Sequence, residues 1–107
     1  MAKYLLQVGY TSESFATQIK NPQNRVQAIA PAVEKLGGKV ETAYYTFGDY
    51  DTVVILEFPD NTAAAAFAIS VAAGGSCRAV KTTPLMTIDE GIKAIKAAGG
   101  TGYKPAS

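Results

Sequence analysis

Two strand patterns joined by a very short link constrain the fold of this chain more than any other feature. Residues 39–47 alternate apolar and polar side chains, and residues 51–58 form a run rich in Val, Ile and Leu. Only residues 48–50 lie between them, so the two strands are expected to be antiparallel neighbours in a hairpin. We expect Gly48 to adopt a positive φ in this turn and Asp49 to bond to nearby backbone.

A strand and helical segments lie on each side of this hairpin and fix the order of elements. They are a strand at 3–10, helical turns at 11–20, a helix at 21–38, a helix at 62–73, a strand at 76–87 and a short helix from Thr87. This order predicts an α+β fold of the ferredoxin-like βαββαβ type with an extra C-terminal helix. Two helices then cover one face of a four-stranded antiparallel sheet, and we expect a second copy to cover the other face.

Polar residues and prolines predict where the helices begin. Ser12 is expected to cap the first helical turns. Asn21 is expected to cap the next helix, with Pro22 at its first position. The N–H that proline lacks has no partner at that position of a helix. Thr87 and Glu90, three residues apart, predict a capping box at the start of the last helix.

The length of 107 residues predicts one domain, residues 1–98, followed by a flexible tail at 99–107. The net charge of +1 and the lack of a basic run argue against a nucleic-acid partner. No stretch is apolar for long enough to be a signal peptide or to span a membrane. Together with a single cysteine, this predicts a cytoplasmic protein.

The chain contains no histidine, which removes the usual general base at neutral pH. It also excludes Ser-His and Cys-His nucleophile arrangements. With one cysteine and no histidine, a zinc-type metal site is not expected, and no cofactor is predicted. Cys77 is read either as a small buried residue or as a nucleophile, and the first reading is preferred.

Polar residues inside the strands indicate where a ligand would bind. Because side chains alternate along a strand, Gln7, Glu57, Arg78 and one of Tyr44 or Tyr45 are expected to converge on one cavity. Arg78 is the expected partner of Glu57, because a buried carboxylate needs one. The alternative is a purely structural ion pair at an interface.

Three further residues have both a structural and a functional interpretation. Tyr50 is not required by a turn, so it either packs over a sheet edge or places a phenol at the mouth of a pocket or interface. Lys20 and Arg25 flank the start of the helix at 21–38. They either hold an anion together with the positive helix end or are solvated surface charges.

The stretch "FGDYDTVVILEFPD" resembles the signature of the GYD domain family, with Gly48, Tyr50 and Asp51 in the corresponding places. The stretches "IKNPQNRV", "LGGKV" and "SCRAVKTTPL" resemble other blocks of that family in order and spacing, over about residues 3 to 95. Ser14 and Phe15 depart from it, since members often have glycine there. The resemblance implies a small bacterial protein of uncharacterised function, with a ferredoxin-like chain that pairs into a dimeric α/β barrel.

Three functions remain open on this basis. The preferred one is a small-molecule-binding or regulatory homodimer, or a higher assembly of dimers. The alternative is a cofactor-free enzyme, monooxygenase- or isomerase-like as fold relatives of the family are, acting on a small aromatic or other organic substrate. The third is a structural role with a barrel filled by side chains.

Overall fold

The computed structural model describes residues 1–106, and only Ser107 of the tail lies outside the described residues. The elements follow the predicted order, and the helical turns predicted at 11–20 form a helix of nine residues, α1. They are β1 (Ala2–Tyr10), α1 (Ser12–Lys20), α2 (Arg25–Lys35), β2 (Lys39–Tyr45), β3 (Thr52–Phe58), α3 (Asn61–Ala73), β4 (Cys77–Leu85) and α4 (Ile88–Ala98).

The four strands form one antiparallel sheet in the order β2-β3-β1-β4. In β1, Leu6 lies opposite Val54 of β3 and Thr82 of β4, so these residues share a face. The ferredoxin-like α+β fold predicted from the sequence is therefore confirmed. β4 is an edge strand, and it accommodates Pro84 opposite Tyr4 because an edge residue needs no second ladder bond.

One face of the sheet forms the core with α2 and α3. Alternate residues of β1 and β3 are buried there, as the period of two requires. Val33 of α2 and Phe67 of α3 pack on them and are 0% and 3% exposed. Phe58 lies at the centre, with its ring centroid 6.0 Å from that of Tyr4 and 5.9 Å from that of Phe67. Each such buried side chain contributes about 1.5–3 kcal/mol by transfer from water.

The other face of the sheet carries no helix, and we call it the open face. Its central residues are only half-buried in the single chain: Leu5, Gln7, Thr42, Val53, Ile55, Ala79 and Thr83. Ion pairs lie towards one end, where Lys3 Nζ is 2.8 Å from Glu41 Oε1 and Lys39 Nζ is 3.3 Å from Glu57 Oε2. The open face thus has an uncharged centre of mixed apolar and polar residues and a charged margin.

The helix starts differ from the prediction in two places. α2 begins at Arg25, and Asn24 caps it by accepting bonds from the N–H groups of Val26 and Gln27. The predicted cap, Asn21, instead ends α1, where its N–H donates to the carbonyl of Thr17. Pro22 therefore lies in the linker between α1 and α2 and not at a first helical position. α1 is capped by Thr11 rather than Ser12.

The hairpin between β2 and β3 is longer than predicted. β2 ends at Tyr45 and β3 begins at Thr52, so residues 46–51 form the connection. Within the described residues the glycines with positive φ are Gly37, Gly75 and Gly102. The expectation of a positive φ at Gly48 is therefore wrong, because a six-residue connection turns without a left-handed residue there.

The last helix stands apart from the core. Its predicted capping box is present: the hydroxyl of Thr87 accepts from the N–H of Glu90, and the Glu90 carboxylate accepts from the N–H of Thr87, each at 3.1 Å. Every residue of α4 except Gly91 is exposed. Its apolar stripe is therefore open, with Ile88, Ile92 and Ile95 exposed by 81%, 44% and 74%.

The protein is extended for its length. Its radius of gyration is 17.0 Å, whereas a compact chain of this size has about 13 Å. Residues 99–106 form no helix or strand. Within residues 1–106, no helix is both long and apolar enough to cross a membrane.

Candidate functional site

Asp51, at the end of the hairpin connection, joins the hairpin to β1. Its Oδ2 atom accepts a bond of 2.8 Å from the backbone N–H of Tyr10, and its own N–H donates to the carbonyl of Val8 at 2.8 Å. Its carbonyl accepts from the N–H of Thr46 at 2.9 Å. The Asp51 side chain is only 18% exposed. The Asp51 carboxylate therefore supplies the acceptor that the backbone N–H of Tyr10 would otherwise lack.

Arg78, a residue of β4, binds the connection between β2 and β3. Its Nη2 atom lies 3.4 Å from Asp51 Oδ2 and donates to the carbonyl of Asp49 at 3.0 Å. The guanidinium lies over Gly9, where an added Cβ would come within 2.5 Å of Arg78 Cζ. The register of β1 with β4 shifts between Gly9 and Tyr10, which gives Arg78 this position.

The expected pairing of Arg78 with Glu57 is wrong. Glu57 pairs with Lys39, and Arg78 pairs with Asp51. Arg78 lies beside Gly9, whereas Glu57 lies opposite Lys3. Six residue steps of β1 separate these two positions, which is about 20 Å at 3.3 Å per residue.

The structure brings together only part of the predicted ligand set. Gln7 lies opposite Val53, which in turn lies opposite Tyr44, so Gln7 and Tyr44 share one cross-strand row of the open face. Lys81 extends that row on β4. Glu57 and Arg78 lie towards opposite ends of the sheet.

The two remaining tyrosines of the predicted set lie elsewhere. Tyr45 pairs with Thr52 on the helix side and lines a shallow cleft with Phe15, Ile19 and Pro22. Tyr50 lies in the connection, half-buried, and its carbonyl accepts a 2.6 Å bond from the hydroxyl of Thr46. These six side chains therefore do not form one pocket in the single chain.

A cavity of about 230 Å³ lies on the helix side, between the sheet, α2 and α3, and we call it the helix-side cavity. Its walls are mainly apolar and include Leu6, Val8, Ile29, Val54, Phe67 and Val71. Small residues line the rest, from Ser70 and Gly74 at the end of α3 to Ser76 before β4. Because their side chains are short, the core is not filled at this place.

Two buried hydroxyls lie in the wall of the helix-side cavity. The hydroxyls of Thr52 and Tyr10 share a hydrogen bond of 3.1 Å, in which either can donate, and the two residues are 7% and 6% exposed. The pair makes this one hydrogen bond within residues 1–106, so one of its two protons is left for another acceptor. A ligand atom in the cavity would find a hydrogen-bond donor there.

Arg25, the first residue of α2, lies where three depressions meet. It lines the helix-side cavity, a polar cleft beside α1 and a groove along the end of β2. Lys20 is at the exposed end of α1. Burial raises the pKa of the Cys77 thiol above its usual value, and the nearby charge of Arg25 opposes that rise. The positive charge of Arg25 thus reaches the cavity wall that contains Cys77.

Sequence reasoning singled out Arg25 but missed Tyr10 and Thr52. One signal was available in the chain. Thr52 opens a strand whose every second residue is buried, so its hydroxyl had to find a partner inside. The partner is Tyr10, at the end of β1, which the hairpin places beside it.

The sheet order and the helices on one face define a ferredoxin-like α+β protein, here with a ligand-sized cavity under its helices. The family model of the GYD domain matches residues 4–95, so the chain belongs to the GYD domain family. A search of curated proteins and a search of solved structures each found no significant match.

Proposed function

We propose that this chain is a small-molecule-binding protein that acts as a homodimer, with its ligand in the helix-side cavity. The observation that carries the proposal is the cavity itself, which lies between the sheet, α2 and α3 and opens to solvent beside the exposed Ser70, Gly74 and Ser76. It has a volume of about 230 Å³, and the buried side chains of Val54 and Phe67 line its walls. An apolar recess of this size with a few polar groups is the usual form of a small-molecule site.

The size and lining of the cavity suit a small organic molecule. An engineered apolar cavity of about 150 Å³ binds benzene, so the volume here accepts one substituted ring. The walls are mostly apolar, and a few polar groups stand at defined places, as is usual for ligand sites. In the competing view, the chain is an enzyme that converts such a molecule; recovery of an unchanged ligand distinguishes binding from turnover.

Filling the cavity should weaken ligand binding. We expect toluene to perturb the amide resonances of Val8, Val54 and Phe67 in the natural protein. Val71→Phe puts a larger side chain in the cavity wall and should weaken toluene binding at least about tenfold. Ile69→Phe is the matched control, because Ile69 lies on the same helix, is 68% exposed and does not line the cavity. Equal binding by both variants, or none by the natural protein, would contradict the proposal.

The open face supports the homodimer. Its uncharged centre, which includes Leu5, Val53 and Ile55, and its charged margin resemble the core and rim of a protein interface. Strands of seven to nine residues at about 4.8 Å spacing give this face a projected area of roughly 500 Å². Stable interfaces bury about 800 Å² per partner. The exposed isoleucine stripe of α4, which follows β4 directly, supplies further apolar surface for the second copy.

A charge placed at the centre of the open face should separate the dimer. We expect the natural protein to have about twice its chain mass of 11.2 kDa by light scattering after gel filtration. Ile55→Lys should yield monomers, because a buried unpaired ammonium is costly. Ala32→Lys adds the same charge on the exposed side of α2, and this variant should remain dimeric. A natural protein that stays monomeric at high concentration would rule out this part of the proposal.

A further inference from the structure

We propose that the ligand of the helix-side cavity is a small monocyclic carboxylate, held with its ring among the apolar walls and its carboxylate against the guanidinium of Arg25. This inference rests on the proposed function and adds the chemical class of the ligand. It is built on three properties of the cavity: its charge, its free hydrogen-bond donor and its volume.

Arg25 brings an unneutralised positive charge to the cavity. It is partly buried, and no carboxylate oxygen within residues 1–106 lies within 4.0 Å of its guanidinium. Glu13 lines the neighbouring polar cleft but forms no such ion pair. No Asp or Glu is among the residues that line the helix-side cavity itself. A partly buried guanidinium of this kind favours an anion, and a carboxylate matches its planar fork.

The charge comes from the side chain and not from the helix end. The first free N–H groups of α2, those of Val26 and Gln27, already donate to the side chain of Asn24. The end of α2 therefore has little left to offer an anion. Lys20 is the other residue of the anion site predicted from the sequence, and it lines none of the depressions that Arg25 lines. Lys20 is therefore not part of the proposed ligand site.

The Tyr10 hydroxyl adds a donor inside the cavity. It shares one hydrogen bond with the hydroxyl of Thr52, in which either group can donate. The pair makes this one hydrogen bond within residues 1–106, so one of its two protons is left for an acceptor atom of the ligand. The cavity thus offers an acceptor-bearing ligand one charged group and one neutral donor.

The volume sets the size of the ligand. About 230 Å³ exceeds the roughly 150 Å³ that holds benzene by enough for one small substituent. One guanidinium and no acidic wall residue match a single negative charge. A benzoate-like molecule satisfies both conditions.

Calorimetric titration of the full chain with benzoate and with benzamide tests this assignment, because the two probes share the ring and differ in charge. We expect the natural protein to bind benzoate at least about tenfold more tightly than benzamide. Arg25→Gln should remove this preference, because it should lower benzoate affinity at least about tenfold and benzamide affinity by much less. Lys20→Gln, the matched control, should retain the preference. Tyr10→Phe should weaken benzoate binding about three- to tenfold.

The outcomes separate this inference from the proposal it rests on. If toluene and benzamide bind but benzoate binds no more tightly, the cavity takes neutral ligands, and the carboxylate assignment falls alone. An equal loss of benzoate and benzamide affinity in Arg25→Gln would also overturn it. If none of the three probes binds the natural protein, both proposals fall. The comparison of probes on the natural protein decides the matter even if a variant does not fold.

Discussion

Asp51→Ala is expected to lower the free energy of unfolding by about 3 kcal/mol. Within the family signature, this effect is larger than the one expected for a change at Gly48. The change leaves the buried N–H of Tyr10 without its acceptor and removes the carboxylate that faces Arg78. Hydrogen bonds to charged groups contribute about 1.5–3 kcal/mol, and an unsatisfied buried donor costs a similar amount. At roughly 4 °C per kcal/mol for a domain of this size, the melting temperature should fall by about 12 °C.

Two variants distinguish the carboxylate from the rest of the motif. Asp49→Ala should change stability by less than about 0.5 kcal/mol, because Arg78 binds the Asp49 carbonyl and not its side chain. Asp51→Asn retains an acceptor for Tyr10 and loses only the charge, so about 1 kcal/mol is expected. All measurements use one protein concentration, since dimer formation would itself add stability. Equal losses for Asp49→Ala and Asp51→Ala would show that Asp51 does not hold the connection.

These contacts give the signature a physical meaning. In this chain the tyrosine of the motif presents its carbonyl to Thr46, and the aspartate binds β1 and β4 at once. The motif therefore closes one end of the sheet. It also fixes Tyr10, whose hydroxyl lies in the wall of the helix-side cavity. A structural motif and the proposed ligand site are thus joined through a single residue of β1.

The topology was predictable because its signals are local. Strand and helix periods, and a short connection between β2 and β3, leave few arrangements of four strands. The capping box of α4 was predictable for the same reason, since Thr87 and Glu90 satisfy each other within one turn. The start of α2 was not, because Asn21 and Asn24 are both suitable caps, and the chain uses the first to end α1.

The site was less predictable because it depends on tertiary detail. The pairing of Arg78 with Asp51 follows from the register shift at Gly9, which moves one long side chain to the end of the sheet. The helix-side cavity arises where short side chains of α3 and the β4 entrance meet Val8 and Val54. No single segment contains that combination, so no pattern in one segment reveals it.

Gly38→Ala is expected to destabilise the protein by about 3 kcal/mol, more than any change at the glycine of the signature. A Cβ at Gly38 would overlap the carbonyl oxygen of Glu57 and come within 2.6 Å of Phe58 Cδ1. Phe58 is 1% exposed, so neither the backbone nor the ring has room to move. Overpacking of this kind costs about 1–3 kcal/mol or more. Chemical denaturation monitored by circular dichroism measures the loss.

Gly48→Ala is the matched control, and it should change stability by less than about 0.5 kcal/mol. No atom lies within 4 Å of a Cβ built at Gly48, and its φ is outside the left-handed region. The single chain therefore gives the signature glycine no steric reason to be glycine. If Gly48→Ala nevertheless dissociates the proposed dimer while leaving the unfolding of the monomer unchanged, the close approach that requires glycine is made by the second copy. A loss of monomer stability at Gly48 equal to that at Gly38 would contradict the packing described for both positions.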